Sequence, residues 1–269
     1  MTALSRARTG PPSQDDPVRS IILESAAGFS TRLGFYLPGE KQEVHVDALP
    51  GISIVITGAV HEEVGARAQT RLPAWIAVKP PGVRHSARFS PFGAIVLSVS
   101  VDDPDQWEVI APTRGWEWRR ASAMDHRLLL SRIGESPSQA SLSQLRSELL
   151  ALAATDEPVR GSAPAWLARI AEKLVEEPQT PVQSLGSESG VHPVYLARAF
   201  RRWYGLSPSG YRLRVRTSRA LAHALFCGDR PAEAAQRAGF ADQSHMCRSI
   251  RSGTGVTLSR LRALFRAAS

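Results

Sequence analysis

The C-terminal third of this 269-residue chain contains an internal repeat, and the repeat constrains the fold more than any other feature of the sequence. The dipeptides Gly190-Val191 and Gly239-Phe240 lie 49 residues apart, and beyond them the offset is 50. At that offset apolar residues pair with apolar ones and basic residues with basic ones: Leu196 with Met246, Arg198 with Arg248, Phe200 with Ile250, Arg201 with Arg251, Gly205 with Gly255 and Tyr211 with Leu261. Each copy therefore predicts a helix, a Gly-apolar turn and a second helix, which is the helix-turn-helix arrangement.

A single long helix is predicted between the two copies, from Ser209 to Cys227, and Gly228-Asp229 ends it. Its 19 residues would span about 28 Å. Four arginines alternate with apolar residues along it: Arg212, Arg214, Arg216 and Arg219. A rod of this length can hold two recognition helices about one DNA turn, roughly 34 Å, apart on one face of the duplex.

The charge distribution favours a polyanionic partner for the same region. Residues 1–160 contain 17 basic and 18 acidic residues, whereas residues 161–269 contain 16 basic and 7 acidic ones. This asymmetry indicates a nearly neutral module joined to a basic one, with nucleic acid as the first candidate partner and an anionic membrane as the second. No apolar run reaches the roughly 18–20 residues that span a bilayer, so we expect no membrane partner.

The remaining compositional signals concern the compartment. Cys227 and Cys247 are the two cysteines, which excludes a disulfide scaffold and suggests a reducing environment. We interpret both as small apolar side chains, with a redox switch as the less favoured alternative. Residues 1–17 are rich in Ser, Pro, Thr and Arg and lack the apolar segment of a secretory signal. We therefore expect a disordered tail and a cytoplasmic protein.

The repeat and its linker resemble the tandem helix-turn-helix domain of the AraC family of bacterial transcription regulators, from about Ala165 to Arg266. The resemblance rests on three segments: Gly190-Val-His-Pro-Val-Tyr-Leu-Ala-Arg-Ala-Phe-Arg-Arg202, Gly205-Leu-Ser-Pro-Ser-Gly-Tyr211 and Ala238-Gly-Phe-Ala-Asp-Gln-Ser-His245. It implies sequence-specific binding to double-stranded DNA at promoters, most often with activation through contacts to RNA polymerase.

The resemblance also implies which residues contact DNA. The first recognition helix would run from about Pro193 to Trp203 and the second from about Asp242 to Ser252. The first would contribute His192, Val194, Tyr195 and Arg198, with Arg201 and Arg202 near phosphates, and the second Gln243, Ser244, His245, Arg248 and Arg251. Arg and Gln can bind guanine and adenine in bidentate fashion, and Tyr and Val can contact a thymine methyl group. His192 is interpreted as a helix-start or phosphate contact rather than a base reader.

Several positions depart from the family pattern, mostly in the second copy. Gly186 replaces a common alanine in the first copy, and the second copy has Pro231, Ala234, Met246, Ile250, Leu258 and Leu261 at positions where other residues are usual. These departures predict looser packing of the second copy. We therefore expect Arg198→Ala to weaken specific binding more than Arg248→Ala.

The N-terminal part is predicted to be a β-barrel or sandwich, because β-branched runs alternate with Pro and Gly from about Ser20 to Val101. Two segments resemble the motifs of the cupin barrel: Gly39 to Gly58, which contains His45-Val-Asp47, and Pro80-Pro-Gly-Val-Arg-His85. In the AraC family such a domain usually senses an effector or dimerises. Trp75 is interpreted as a core residue rather than a pocket wall.

Three residues of the cupin-like motifs offer metal ligands. His45, Asp47 and His85 would form a facial triad suited to Fe(II) or Zn(II). The alternative, which the sequence favours, is a barrel that holds no metal and encloses a mostly apolar pocket for an unknown small-molecule effector, because a usual ligand position is missing.

Helices are predicted from about Asp125, with leucines at helical spacing in Leu142–Leu145 and Leu149–Leu152, a break at Asp156–Pro158 and a linker at Arg160–Pro164. These leucines could pair across a homodimer, which we favour, or pack on the chain's own barrel. A further amphipathic helix is predicted from Trp166 to Glu177, with Trp166, Leu167, Ile170 and Leu174 on one side.

The sequence thus predicts an α+β two-domain protein with an N-terminal cupin-like β-barrel, a helical connector and a C-terminal all-α tandem helix-turn-helix domain. The boundaries are 1–17 for the tail, 18–122 for the sensing domain, 123–160 for the connector and 161–269 for the DNA-binding domain. The favoured function is a ligand-modulated transcription regulator, an activator without enzymatic activity and without a cofactor. The alternatives are a metal-dependent cupin enzyme with a DNA-binding appendage and a nonspecific DNA-coating protein, which would show a steep salt dependence without sequence preference.

Overall fold

The fold is taken from a computed structural model that describes residues 20–26, 28–110, 115–121, 127–132, 138–155 and 163–266. The predicted tail 1–17, the break at Asp156–Pro158 and residues 160–162 of the predicted linker lie outside these residues. In the part of the chain that is described, no helix is long and apolar enough to cross a bilayer.

The described residues of the N-terminal domain form an antiparallel sheet of eight strands, which agrees with the strand-rich domain predicted from the sequence. They are β1 (Ser20–Ala26), β2 (Phe29–Tyr36), β3 (Lys41–Val46), β4 (Gly51–Val64), β5 (Arg67–Arg71), β6 (Trp75–Lys79), β7 (Arg84–Val101) and β8 (Glu117–Arg120). The order in the sheet is β1-β2-β7-β4-β6-β8, with β3 also paired to β7 and β5 also paired to β4. Among the described strands, β1 and β8 at the two ends are not paired with each other, so these pairings do not close a barrel.

Strands β4 and β7 are the two longest of the described strands, and their pairing shifts register near Val55–Thr57 and Gly58–Val60. In this region, Gly58 and Gly93 have φ angles of +83° and +78°, which favour glycine. A Cβ atom on Gly58 would lie 2.1 Å from the carbonyl oxygen of Gly93, and one on Gly93 would lie 2.3 Å from that of Tyr36. Only glycine therefore allows the main chains to approach so closely.

The core of this domain comes from the β-branched runs identified in the sequence. Ile52, Ile54 and Ile56 of β4 and Ile95, Leu97 and Val99 of β7 are at most 1% exposed. Trp75 is also buried, as predicted. Burial of one such side chain contributes roughly 1.5–3 kcal/mol to the free energy of unfolding.

In the described residues, helix α1 (Pro104–Ile110) lies between β7 and β8, and the connector helices α2 (Arg127–Arg132) and α3 (Gln139–Thr155) follow β8. Leu142, Leu145 and Leu149 of α3 are buried in the same apolar cluster as the interior of the sheet. Glu24 of β1 also accepts a 2.7 Å hydrogen bond from Arg146 of α3. These leucines therefore pack on the chain's own sheet domain, which is the alternative to the dimer contact favoured from the sequence.

Seven helices form the C-terminal domain, and both predicted repeats are present in it. They are α4 (Ala165–Glu176), α5 (Val182–Glu188), α6 (Pro193–Tyr204), α7 (Pro208–Phe226), α8 (Pro231–Arg237), α9 (Gln243–Thr254) and α10 (Leu258–Arg266). The predicted linker helix corresponds to the 19 residues of α7. In α4, Leu167, Ile170 and Leu174 are buried and Trp166 is partly buried, as expected from their spacing.

The two repeats have matching main-chain hydrogen bonds. The amide of Val191 donates to the carbonyl oxygen of Gly186, and that of Phe240 donates to Ala235, both at 2.9 Å. Gly205 and Gly255, which end α6 and α9, both have positive φ angles and donate to the carbonyl oxygens of Arg201 and Arg251. The sequence repeat is therefore a structural repeat.

The second copy has a complete apolar core despite its unusual residues. Ala234, Met246, Ile250 and Leu261 are fully buried, and Leu258 is 6% exposed. The expectation of loose packing in this copy is therefore not supported by burial. In the first copy, a Cβ atom on Gly186 would lie 3.1 Å from the carbonyl oxygen of Val191, which explains why glycine fits better than alanine there.

Candidate functional site

The first candidate recognition helix, α6, begins as predicted at Pro193. His192 precedes it as the N-cap residue, and its Nδ1 atom accepts a 3.3 Å hydrogen bond from the amide of Val194. This interaction satisfies one of the amides that a helix start leaves without a partner. The position of His192 agrees with the helix-start role expected from the sequence.

The two faces of α6 separate core residues from candidate DNA contacts. Leu196, Phe200 and Tyr204 are buried. The opposite face consists of the exposed residues Val194, Tyr195, Arg198, Arg201 and Arg202. Val194 and Tyr195 are 52% and 60% exposed, which is a large apolar exposure for a helix that contacts only its own domain. Such a surface suits contacts to base edges and phosphates.

The second candidate recognition helix, α9, has the same organisation. Asp242 is its N-cap residue, and the carboxylate Oδ1 accepts a 2.7 Å hydrogen bond from the amide of His245. Met246 and Ile250 are buried, while the exposed residues are Gln243, Ser244, Arg248 and Arg251. His245 differs from the others because its ring is partly buried edge-on against Phe240, with 5.2 Å between the ring centroids.

The arginines of the linker helix α7 interact mainly within the chain. Arg212 Nη1 donates a 3.2 Å hydrogen bond to the carbonyl oxygen of Thr180, and Arg216 donates to the side chain of Gln179. Burial lowers the pKa of Arg216 and of Arg219. Part of the positive charge counted in the sequence therefore orients α7 against the segment between α4 and α5.

A cavity of about 270 Å³ with both polar and apolar lining residues lies within the sheet domain. The sequence predicted a mostly apolar pocket, and the lining is mixed: apolar side chains such as Ile52, Phe89 and Val96 lie beside charged ones. The charged and metal-ligand-type residues are Arg32, Glu62, Arg71, Lys79, His45, Asp47 and His85. The sequence did not indicate this charged lining because its members are far apart along the chain and lie on different strands or turns. A cavity of this kind suits a polar or charged small molecule rather than an apolar one.

Glu62 is the centre of a buried ion-pair network on one wall of the cavity. Its Oε1 atom accepts a 2.5 Å hydrogen bond from Arg71 Nη2, and its Oε2 atom accepts a 2.8 Å bond from Trp118 Nε1. Lys79 Nζ lies 3.7 Å from Oε1. Burial alone would raise the pKa of Glu62, but the charges of Arg71 and Lys79 and the two hydrogen bonds lower it below its ordinary value. Glu62 is therefore ionised.

The three candidate metal ligands meet on another wall of the cavity. His45 of β3 and His85 of β7 are direct cross-strand partners, and Asp47 follows β3 by one residue. Asp47 Oδ1 lies 3.8 Å from His45 Nε2, and Asp47 Oδ2 lies 3.6 Å from His85 Nε2. One donor atom from each residue lies within 4.8 Å of the others. Burial and the nearby charge of Lys79 lower the pKa of His85, despite the opposing hydrogen bond to Val83.

The structure shows a contact between the two domains that the sequence did not predict. Arg120 of β8 donates hydrogen bonds from Nη2 to the carbonyl oxygens of Trp203 (2.5 Å) and Arg202 (3.3 Å) at the C-terminal end of α6. The guanidinium also lies 5.1 Å from the centre of the Trp75 ring. Elsewhere in the interface, Phe35 of β2 stacks on Phe226 of α7 with centroids 3.7 Å apart. The candidate recognition helix α6 is therefore hydrogen-bonded directly to strand β8 of the sheet domain.

Comparison with known proteins identifies the C-terminal domain. Residues 167–264 match the family described as "Helix-turn-helix domain". A search of curated proteins found no match. The region matched coincides with α4 to α10, and its two helix-turn-helix units are those described above. Residues 167–264 therefore form an AraC-type helix-turn-helix domain, which follows an N-terminal antiparallel sheet domain.

Solved structures with some similarity were also found. ToxT from Vibrio cholerae is 10% identical, with a TM-score of 0.38, over 88% of this chain and 99% of that one. The C-terminal domain of AraT, a response regulator from Geobacillus stearothermophilus, is 20% identical, with a TM-score of 0.36, over 39% and 88%. Bacillus subtilis oxalate decarboxylase is 17% identical, with a TM-score of 0.29, over 32% and 25%. All three scores lie below 0.5, so no residue's role is transferred from these proteins.

Proposed function

We propose that this protein is a sequence-specific transcription regulator that reads two major-groove segments of double-stranded DNA, one with α6 and one with α9. The observation that carries the proposal is the pair of matched helix-turn-helix units joined by the 19-residue helix α7, each with a buried core face and an exposed polar face. Two separate reading helices favour sequence-specific binding over nonspecific coating of DNA.

The roles of the individual residues follow from where they lie. Arg198 and Arg248, at the same position in the two copies, are proposed as the main base-reading arginines. Tyr195 and Gln243 are proposed as further groove contacts, and the exposed residues His192, Val194, Arg201, Arg202, Ser244 and Arg251 complete the surface. His245 remains a candidate DNA contact. Because its ring already packs on Phe240, we propose that it contributes less to DNA affinity than the other residues.

We propose that the sheet domain modulates DNA binding through a small molecule in its cavity. Strand β8 connects the cavity region to the reader, because Trp116, which directly precedes it, lies 4.4 Å from the ring of His85, and Arg120 at its end binds the C-terminal end of α6. A change in the cavity can therefore reach the recognition helix through four residues of one strand. The polar lining favours a polar or charged effector.

Several finer features belong to the same proposal. The protein acts as an activator through RNA polymerase, is located in the cytoplasm and has no enzymatic activity of its own. The domain boundaries are 18–122, 123–160 and 161–269. A homodimer is retained as the proposed assembly, but the buried leucines of α3 cannot provide its interface in this arrangement.

Selection of bound fragments from genomic DNA tests the proposal. We expect a shared motif with two half-sites about one helical turn apart, and insertion of about half a turn between them to abolish binding. A matched pair of probes with scrambled half-sites is the control. Equal affinity for the selected and scrambled probes, with a steep salt dependence, would instead identify a nonspecific DNA-coating protein.

A further inference from the structure

We propose that Trp166 is a positioning residue for DNA recognition, because it holds the ring of Tyr195 in place for contact with one thymine methyl group beside the base that Arg198 reads. The inference rests on the proposed function, since it concerns how α6 reads DNA. It goes beyond that function because Trp166 lies on α4, outside both candidate recognition helices. It is carried by a ring contact, by a difference in burial between the two rings and by a comparison of the two repeats.

The first observation is the stacking of the two rings. Trp166 lies in the first turn of α4, and Tyr195 lies in the first turn of α6. Their ring centroids are 5.8 Å apart, and their planes differ by 25°. This separation is within the range of about 4.5–7 Å that is usual for aromatic pairs. One face of the Tyr195 ring is therefore covered by Trp166, while the other face and the edge remain available to DNA.

The two rings differ in how firmly the rest of the domain holds them. Trp166 is partly buried and packs on the apolar cluster that includes Leu167 and Ile170 of its own helix. Tyr195 is 60% exposed on the face of α6 opposite the core. The indole is thus the anchored member of the pair, and Tyr195 is the member that it orients. An exposed side chain that is already held in one orientation loses less conformational freedom when DNA binds.

The second repeat supports its corresponding residue in a different way. At the 50-residue offset, the buried residues of α4 correspond to buried residues of α7: Leu167 with Thr217, Ile170 with Ala220 and Leu174 with Ala224. At the same offset His245 takes the place of Tyr195, and its ring packs edge-on against Phe240 of the turn. The position of Trp166 is occupied by Arg216, whose side chain donates a hydrogen bond to the segment between α4 and α5. Among the residues described, the stacked pair therefore belongs to the first repeat, and the fold that the repeats share forms without it in the second.

The chemistry of Tyr195 defines what it can read. An uncharged aromatic ring suits apolar contact with the C5 methyl group of thymine, which is exposed in the major groove. Tyr195 and Arg198 are three residues apart on one helix, so their side chains are neighbours on the same face. The two side chains therefore reach neighbouring base pairs.

The test measures the binding of the full-length protein to an operator selected from genomic DNA. Each thymine in the half-site bound by α6 is replaced singly by uracil, which lacks the C5 methyl group. For the wild-type protein we expect one position at which uracil weakens binding about 4-fold, the value for burial of about one CH₂ group. Trp166→Leu and Trp166→Met, which have no ring, should each reduce this penalty to less than about 2-fold, whereas Trp166→Phe, which retains a ring, should preserve most of it.

Variants of Tyr195 show whether Trp166 acts through it. Tyr195→Ala should abolish the uracil penalty, and Tyr195→Phe should retain it because the ring remains. In the Tyr195→Ala background, Trp166→Leu should cause no further loss of discrimination. Ile170→Val is the matched control, because Ile170 lies one turn further along α4, is buried in the same apolar cluster and does not belong to the stacked pair. This variant should leave the penalty at its wild-type value.

Two results would overturn the proposal. The first is a Trp166→Leu or Trp166→Met protein that keeps the full uracil penalty, which would assign Trp166 a packing role only. The second is the absence of a Tyr195-dependent penalty at every thymine of the half-site. Circular dichroism and binding to the unsubstituted operator show that each variant is folded. Equal affinity of the wild-type protein for selected and scrambled probes would contradict the regulator function itself, so the two failures are distinguishable.

Discussion

The Nη2 atom of Arg120 lies 2.5 Å from the main-chain carbonyl oxygen of Trp203, across the boundary between the sheet domain and the DNA-reading domain. The last carbonyl oxygens of a helix have no partner within the helix, and they lie at the negative end of its dipole. A guanidinium group placed there donates hydrogen bonds to these carbonyl oxygens and brings a positive charge to the negative end of the dipole. The contact therefore couples the position of α6 to that of strand β8.

Removal of this contact is expected to loosen α6. Arg120→Ala should lower the free energy of unfolding by about 1.5–3 kcal/mol, the usual range for hydrogen bonds that involve a charged group. Hydrogen exchange should become faster at the C-terminal end of α6, and any effect of a cavity ligand on DNA affinity should decrease. Arg84→Ala removes a charge from an exposed position of the same sheet domain and is the control. Unchanged exchange in α6 would show that the contact does not hold the helix.

The two arginines proposed to read bases, Arg198 and Arg248, are expected to contribute unequally to DNA affinity. We predict that Arg198→Ala weakens specific binding by about 1–3 kcal/mol, or roughly 5- to 150-fold, and more than Arg248→Ala does. The ranking was expected from the sequence of the second copy, and the structure supports it differently: Val194 and Tyr195 are 52% and 60% exposed near Arg198, whereas His245 near Arg248 packs on Phe240. Footprinting and affinity measurements on one operator at fixed salt would check it. Equal losses, or a greater loss from Arg248→Ala, would contradict the ranking.

Glu62 is expected to make stability depend on acid pH. Its pKa in the folded protein lies below the value of 4.5 that is ordinary for the unfolded chain. The stabilisation is therefore complete above that value and is lost as the pH falls through the lower folded pKa. The melting temperature of the wild-type protein should therefore fall progressively below pH 4.5.

Replacement of Glu62 tests the same network at neutral pH. Glu62→Gln should cost about 3–5 kcal/mol, because Arg71 remains buried without a counter-charge. Its acid dependence should be shallower than that of the wild-type protein. Glu63→Gln changes the neighbouring exposed carboxylate and should have little effect on either quantity. Parallel pH profiles for the wild-type protein and Glu62→Gln would exclude this origin for acid sensitivity.

The connector leucines are expected to stabilise the single chain. Leu145 is fully buried against the sheet domain, so Leu145→Ala should lower the free energy of unfolding by about 2–5 kcal/mol. The loss should be the same at low and high protein concentration. If these leucines instead formed a dimer interface, the melting temperature would vary with concentration in the wild-type protein and less in the variant.

The parts of the structure that the sequence predicted are those with local signals. Gly190 and Gly239 mark the two turns, and the apolar spacing around Leu196 and Met246 identifies which face of each helix is buried. The same signals predict α7 within one residue at each end. Once the buried face of each recognition helix is known, the candidate DNA contacts are expected on the opposite, solvent-facing side.

The parts that the sequence did not predict depend on contacts between distant segments. Arg120 and Trp203 are 83 residues apart, and no local pattern indicates that they meet. The leucines of α3 had two possible partners, a second chain or the sheet, and periodicity alone cannot distinguish them. The charged wall of the cavity was missed because Glu62 and Arg71 have the sequence pattern of ordinary strand-surface charges, and only their contact across β4 and β5 shows that they are buried together.

Helix α7, which separates the candidate recognition helices α6 and α9, also packs on the sheet domain. It contacts strands β4 and β7, and its Phe226 stacks on Phe35 of β2. The helix that separates the two candidate recognition helices therefore also contacts the two longest described strands of the sheet domain. Under the proposed regulation, a ligand of the sheet domain that shifts these strands would change DNA binding without moving either recognition helix within its own helix-turn-helix unit. A slight tilt of α7 would alter which spacing of half-sites both helices can occupy at once.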